Sequence, residues 1–201
     1  GKIEGDDEDE SGEGGNEEEN NLEDDGSSFG LVGGMTGMNS IRLLMKTQVI
    51  LCKRHGDEVG VYKYPAYNML LSVLKLPTKQ EVLLMPKRAE FVRTAVELVF
   101  QTCLVSPLNS EELVSEGAVF VLEELLNFYI SSWKENEKNK KCASSSLRLE
   151  IIMHIVHTLA GVCWYNGGRD AVLNLEDPTR LCENWRRCID GGYWGDAPLV
   201  K

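Results

Sequence analysis

Apolar side chains recur at helical spacing through most of residues 41–188, and no stretch alternates in the way a half-buried strand must. That pattern confines the chain to an all-α fold. Ser40 reads as the N-cap of a helix over 41–54, with Ile41, Leu44, Met45, Val49 and Cys52 in phase and Gln48 as the exception. His55, Gly56 and Asp57 read as its stop. Tyr64 before Pro65 predicts extended backbone, and Pro65 then opens a second helix through Ala66, Met69, Leu70, Val73 and Leu74. A third helix is expected over 87–103, broken by Ser106, Pro107 and Leu108. Asn109 reads as the next N-cap, with Glu112 reaching back to close a capping box. A longer helix over 118–133 carries the stripe Val119, Leu122, Leu125, Leu126, Tyr129, Ile130 and Trp133.

After a polar loop over 134–145 the cycle starts again. A long helix is expected over 146–164 and Asn166, Gly167 and Gly168 end it. A short helix over 169–173 follows, and Asp177 with Pro178 caps a last one bearing Leu181, Trp185 and Cys188. A short helix, two longer ones and a restart give a period near the ~40–47 residues of armadillo and HEAT units. Each helix pair has an apolar face it cannot cover alone, so neighbours stack. The expectation is an armadillo/HEAT-like α-solenoid fragment over 35–190, behind a disordered acidic, Gly-rich leader over 1–34. Residues 191–201 read as a tail or a truncated next repeat.

The net charge of −11 is unevenly spread. Residues 1–28 hold thirteen acids against the single base Lys2, which leaves the rest of the chain at +1. A leader this poor in apolar side chains cannot offset the entropy of ordering, so disorder is expected. It is either a solvated linker or an acidic tail for a basic partner. The nearly neutral body offers no basic footprint for nucleic acid. Lys134, Lys138, Lys140 and Lys141 are offset by Glu135 and Glu137, as in a solvated loop. No apolar run reaches the ~18 residues of a membrane span, so any membrane association is expected to be indirect. Cys52, Cys103, Cys142, Cys163, Cys182 and Cys188 follow no signal peptide, and buried thiols in a reduced, intracellular setting are expected. Cys182 and Cys188 read as core or interface thiols. Gly1 at the start and Pro198, Leu199, Val200 and Lys201 at the end suggest an excerpt of something longer.

Few residues carry a chemical signature. Glu150, His154 and His157 stand at i, i+4 and i+7, which places three possible metal ligands near one helical face. They lack the His-Glu-x-x-His arrangement of a metalloprotease, and packing at a helix edge is the plainer reading. Glycines 30–37 lack the Gly-Lys-Ser/Thr ending of a phosphate loop and read as a hinge. Ser144, Ser145 and Ser146 lack a base partner. Trp164, Tyr165, Trp185, Tyr193 and Trp194 form an aromatic group expected to cover a further repeat, or else to anchor a partner. No catalytic, cofactor-binding or metal-ligating residue is assigned, no cofactor is expected, and the chain is expected not to be an enzyme.

Two stretches are more specific. Residues 39–57 (NSIRLLMKTQVILCKRHGD) and 62–71 (YKYPAYNMLL) form the first, and residues 95–103 (AVELVFQTC) and 108–117 (LNSEELVSEG) the second. Together they resemble the segment just after the J domain in receptor-mediated-endocytosis J-domain proteins, very large endosomal DnaJ-type co-chaperones that include the plant gravitropism-defective proteins. The similarity covers about residues 34–126 and continues more loosely to about 188. It implies an α-solenoid body, a cytoplasmic place peripheral to early endosomes, and protein partners in endosomal sorting. It implies Hsp70 recruitment only through a J domain. This chain has no His-Pro-Asp tripeptide, so that activity belongs elsewhere. The expected function is a non-catalytic scaffold segment of such a co-chaperone in endocytic trafficking. An unrelated armadillo-type adaptor is the alternative, and a metal-dependent enzyme using Glu150, His154 and His157 the third.

Overall fold

A computed structural model describes residues 34–59, 63–77, 83–135 and 144–190. The acidic leader, Cys142 and the tail with Tyr193 and Trp194 fall outside them, as do the side chains of Trp133 and Cys188. The described residues form eight helices and no strand. They are α1 (Gly34–Val59), α2 (Tyr67–Leu74), α3 (Pro86–Val105), α4 (Pro107–Ser115), α5 (Ala118–Glu135), α6 (Ser145–Val162), α7 (Asn166–Leu173) and α8 (Pro178–Asp190).

The all-α expectation holds, but four local readings need correction. Helix α1 begins at Gly34, so Ser40 lies inside it. Met38, upstream of Ser40, packs partly buried against the core within this extension. At its other end His55 departs from helical geometry (φ −130°, ψ 31°), and the helix kinks there before continuing to Val59. Asn109 is not a cap, because Ser106 holds that position and Pro107 supplies the first turn of α4. Asn166, Gly167 and Gly168 open α7 instead of closing α6. A Cβ on Gly168 would lie 2.0 Å from the Val162 carbonyl oxygen, so the two helices meet where only hydrogen fits.

The cap expected at Asp177 is present, and two more helix ends are closed locally. Asp177 Oδ1 accepts from the backbone N–H groups of Thr179 and Arg180, each at 3.1 Å, and caps α8. Ser144 caps α6 by accepting from the Leu147 N–H at 3.2 Å. Gly117 takes φ +79° after α4 and donates to the Val114 carbonyl at 3.0 Å, as a left-handed residue closing a helix does.

Helices three apart in the chain lie against one another: α2 on α5, α3 on α6, α4 on α7 and α5 on α8, with α1 completing the row on α3. Three named contacts share a similar sequence separation. Lys53 meets Glu97 (44 residues apart), Tyr64 meets Asn109 (45) and Tyr129 meets the Leu83 carbonyl (46). The next step is longer, because Arg180 meets Glu123 at a separation of 57. The polar stretch 134–145 lies within that step and accounts for the extra length. The core runs along the same rows. Phe91, Val92, Ala95, Leu98 and Val99 of α3 are sealed, as are Leu122, Leu125, Leu126 and Tyr129 of α5 and Ile151, Ile152, Ile155 and Leu159 of α6. Each of the Phe, Val, Leu and Ile side chains among them contributes about 1.5–3 kcal/mol on burial, against up to ~1 kcal/mol for an exposed ion pair, so apolar packing sets the register.

Candidate functional site: the face of the α1, α3 and α6 row

Among the described residues, the row α1–α3–α6 carries most of the charged contacts between helices. Lys53 Nζ of α1 donates to Glu97 Oε1 of α3 at 2.6 Å. Arg93 Nη1, one turn earlier on α3, donates to the other carboxylate oxygen of Glu97 at 2.8 Å. Arg93 Nε stands 3.7 Å from Glu150 Oε2 on α6. Arg42 of α1 pairs with Glu90 of α3 further up the row. Burial acts to raise the Glu97 carboxyl, but the Lys53 hydrogen bond and the charges of Lys53 and Arg93 outweigh it and hold the group low.

Beside this strip Phe100 of α3 lies against two rings of α6. Its centroid is 5.7 Å from that of His154 and 5.5 Å from that of His157. Burial pushes His154 down to about 4. Glu97 pulls against that, while Arg93, His157 and Lys53 add to it. His154 Nδ1 is enclosed and has no hydrogen-bond partner among the described residues. A neutral imidazole is therefore the form this packing favours.

The three candidate ligands thus share a helix without sharing a ligand. Glu150 faces Arg93, while His154 and His157, both partly buried, each lie tilted against the ring of Phe100. Among the described residues no group of three or more His, Cys, Asp and Glu side chains is placed to hold a metal ion. Sequence spacing put them near one face, but it could not show that α3 would occupy it.

The second polar feature is internal. Asn109, 2% exposed, accepts the Tyr64 backbone N–H at 2.8 Å and donates to the Thr102 carbonyl at 2.9 Å. Thr102 Oγ1 accepts the Tyr67 hydroxyl at 2.7 Å. One amide thus ties the approach to α2, the end of α3 and the start of α4. Polar residues in a Pro-flanked segment were the available signal, but they read equally well as a cap. Glu112, the expected capping-box partner, instead pairs with Lys63 at 3.0 Å.

Cysteines are distributed unevenly. Cys52 is buried, Cys103 and Cys163 are partly buried, and all three thiols are raised, chiefly by burial, Cys103 to about 11. Cys182, read as a core or interface thiol, lies exposed on α8, which removes the core reading alone. Trp164, expected to cover a further repeat or to anchor a partner, is 82% exposed. A shallow depression of about 490 Å³ between the start of α5 and α7 is bordered by Val114, Val119, Phe120, Ala171, Leu175 and Glu176, and presents a single carboxylate. Among the described residues no single helix is long and apolar enough to cross a membrane. What the molecule offers is extended helical surface, with ion pairs and half-buried aromatics.

Comparison with known proteins adds one relative. The chain is 31% identical over 133 residues to DnaJ homolog subfamily C GRV2 of Arabidopsis thaliana. The match takes in 66% of this chain and 5% of that protein. This supports a distant relationship to that J-domain family, in agreement with the resemblance read from the motifs. No family model matches, and no solved structure matches.

Proposed function

We propose that this chain is a non-catalytic, armadillo-type scaffold segment of a DnaJ-type co-chaperone, working in endocytic trafficking and endosomal sorting at the cytoplasmic face of early endosomes. The observation that carries the reading is the likeness to the Arabidopsis DnaJ homologue, of whose length the chain spans 5%. The packing is consistent with it. Helices three apart lie on one another in the manner of a three-helix repeat, each covering the apolar face its predecessor leaves open.

In this reading the segment holds position and surface. It sets the distance between a J domain, which recruits Hsp70, and partners of the sorting machinery. The face of α1, α3 and α6 is its candidate contact surface, because there charges and the ring of Phe100 stand in one register.

The test is to read the coding sequence that surrounds this chain and to locate the tagged full-length product in cells. A His-Pro-Asp J domain encoded upstream and coincidence with an early-endosome marker are expected. An open reading frame without a J domain, or a product spread evenly away from endosomes, overturns the proposal.

A further inference from the structure

We infer that the outward face of α1 is the seat of another helix of the same polypeptide, packed on α1 as α1 is packed on α3. This rests on the reading of the chain as part of a longer helical array.

Helix α1 has two apolar faces. Met38, Ile41, Met45, Val49 and Cys52 point inward and join or adjoin the core. On the opposite side Leu43, Leu44, Ile50 and Leu51 are 66, 65, 50 and 47% exposed, with Thr47 at their centre. Their positions, at i, i+1, i+7 and i+8, form one stripe. Scattered exposed leucines need no explanation, but a contiguous apolar stripe marks a contact surface.

Helix α3 shows what such a pattern is for. It takes α1 on one side and α6 on another, and its buried positions run nearly all round, from Ala89 and Phe91 to Val99 and Thr102. A helix that is apolar on opposite sides is an interior member of a row. Helix α1 has that pattern, with one side covered.

Two further observations name the occupant. Length of chain is available, because the matched stretch is only 5% of the related Arabidopsis protein. Residues 1–33 do not have the composition of the missing helix, since acids dominate them and Ile3, Leu22, Phe29, Leu31 and Val32 are their only bulky apolar side chains. Charge also has a direction along the row. The earlier helix supplies the base and the later one the acid: Arg42 and Lys53 of α1 to Glu90 and Glu97 of α3, then Arg93 of α3 to Glu150 of α6. Asp57 and Glu58 are exposed acids of α1 beyond its kink at His55, and Glu58 stands 3.7 Å from the His55 ring. The occupant is therefore an amphipathic helix from an earlier unit, with an apolar stripe over Leu43, Leu44, Ile50 and Leu51 and basic side chains toward α1, as α1 presents Arg42 and Lys53 to α3.

The test compares two proteins: this 201-residue chain, and the same polypeptide extended upstream through its own coding sequence. Each carries Leu44→Cys or, separately, Ile50→Cys, and maleimide labelling is timed with the exposed native Cys182 as internal reference. Labelling at both positions is expected to slow by about tenfold or more in the longer protein, as for a site freed only by local opening, with Cys182 unchanged. Equal rates in the two proteins overturn the inference, as does a coding sequence with nothing upstream. Protection already present in the 201-residue chain, rising with concentration and accompanied by a two-copy mass, gives the face to a second copy and also overturns it. Protection without an upstream J domain keeps this inference and ends the co-chaperone reading. A J domain with both cysteines still reactive does the reverse.

Discussion

Arg180 of α8 grips the buried carboxylate of Glu123 on α5 with two nitrogens, Nε to Oε1 at 2.8 Å and Nη2 to Oε2 at 2.9 Å. Glu123 also accepts from Asn127, whose amide oxygen in turn accepts from Asn184 of α8. The seam fixes α8 on α5, and half of it is sealed: the Glu123 side chain is 2% exposed and that of Arg180 47%.

Removing the arginine leaves a carboxylate in the core with one amide partner. Arg180→Met is expected to lower stability by about 1–3 kcal/mol, the range for an orphaned buried acceptor. Replacing both, as Glu123→Leu with Arg180→Met, is expected to recover most of the loss, because no charge is then stranded. Urea denaturation midpoints of the two variants decide it; a double variant weaker than the single would refute the account.

Asn109 offers a second check. Asn109→Ala strands the Tyr64 N–H and the Thr102 carbonyl, and about 2–3 kcal/mol of stability should be lost. Were Asn109 only a helix cap, Asn109→Ser would be nearly neutral. The fold instead predicts that Ser, too short to reach both partners, is almost as damaging as Ala in thermal unfolding.

Two adjacent glycines should respond in opposite ways. Gly168→Ala drives a Cβ into the Val162 carbonyl and is expected to cost about 2–3 kcal/mol. A Cβ on Gly167 meets nothing within 4 Å, so Gly167→Ala is expected to be neutral or to stabilise by up to about 1 kcal/mol. Equal effects on the melting temperature would argue against the α6–α7 geometry.

The pH dependence has a defined sign. His154 is pushed down to about 4 by burial, from an ordinary value near 6.5. The folded state therefore holds fewer protons than the unfolded one between those values. Stability from this group is constant above pH 6.5, falls as pH drops toward 4, and changes no further below. Glu97, held low by Lys53 and Arg93, contributes above the ordinary carboxylate value and loses that contribution as pH falls through its own lower one. His154→Leu is expected to flatten the melting-temperature profile between pH 6.5 and 4 while leaving the steeper acid limb. A profile identical to wild type across that window would sink the assignment.

Thiol labelling tests the cysteines. Cys182 should react with a maleimide quickly, while Cys52 and Cys103 should react only through opening of the fold. For Cys103 the thiol, raised to about 11, adds to the protection. Mass spectrometry of tryptic peptides after brief labelling gives the order, and early modification of Cys103 would contradict it.

How much of this was legible beforehand follows from the range of the forces involved. Apolar periodicity reports on one helix at a time, so the existence of each helix was readable from Leu122, Leu125 and Tyr129, or from Ile151, Ile155 and Leu159. The Asp177 cap was readable too, because its bonds span only three residues. The Asn109 segment misled because a cap and a buried bracket use the same side chain, and only the arrival of Tyr64 from 45 residues away separates them. Packing was the plainer reading of Glu150, His154 and His157, but their partners could not be named, since Arg93, Glu97 and Phe100 lie on another helix.

The sequence by itself determined that the body is helical, where its helices fall, and that the charge is concentrated at the N-terminal end, because propensity, periodicity and composition are local properties. The tertiary structure alone decided which helix rests on which and which polar groups are sealed. It decided that Gly168 must stay bare, and that α1 keeps Leu43, Leu44, Ile50 and Leu51 turned outward. Those outcomes depend on contacts between residues tens of positions apart, and burial, which weights every one of them, does not exist until the helices have met.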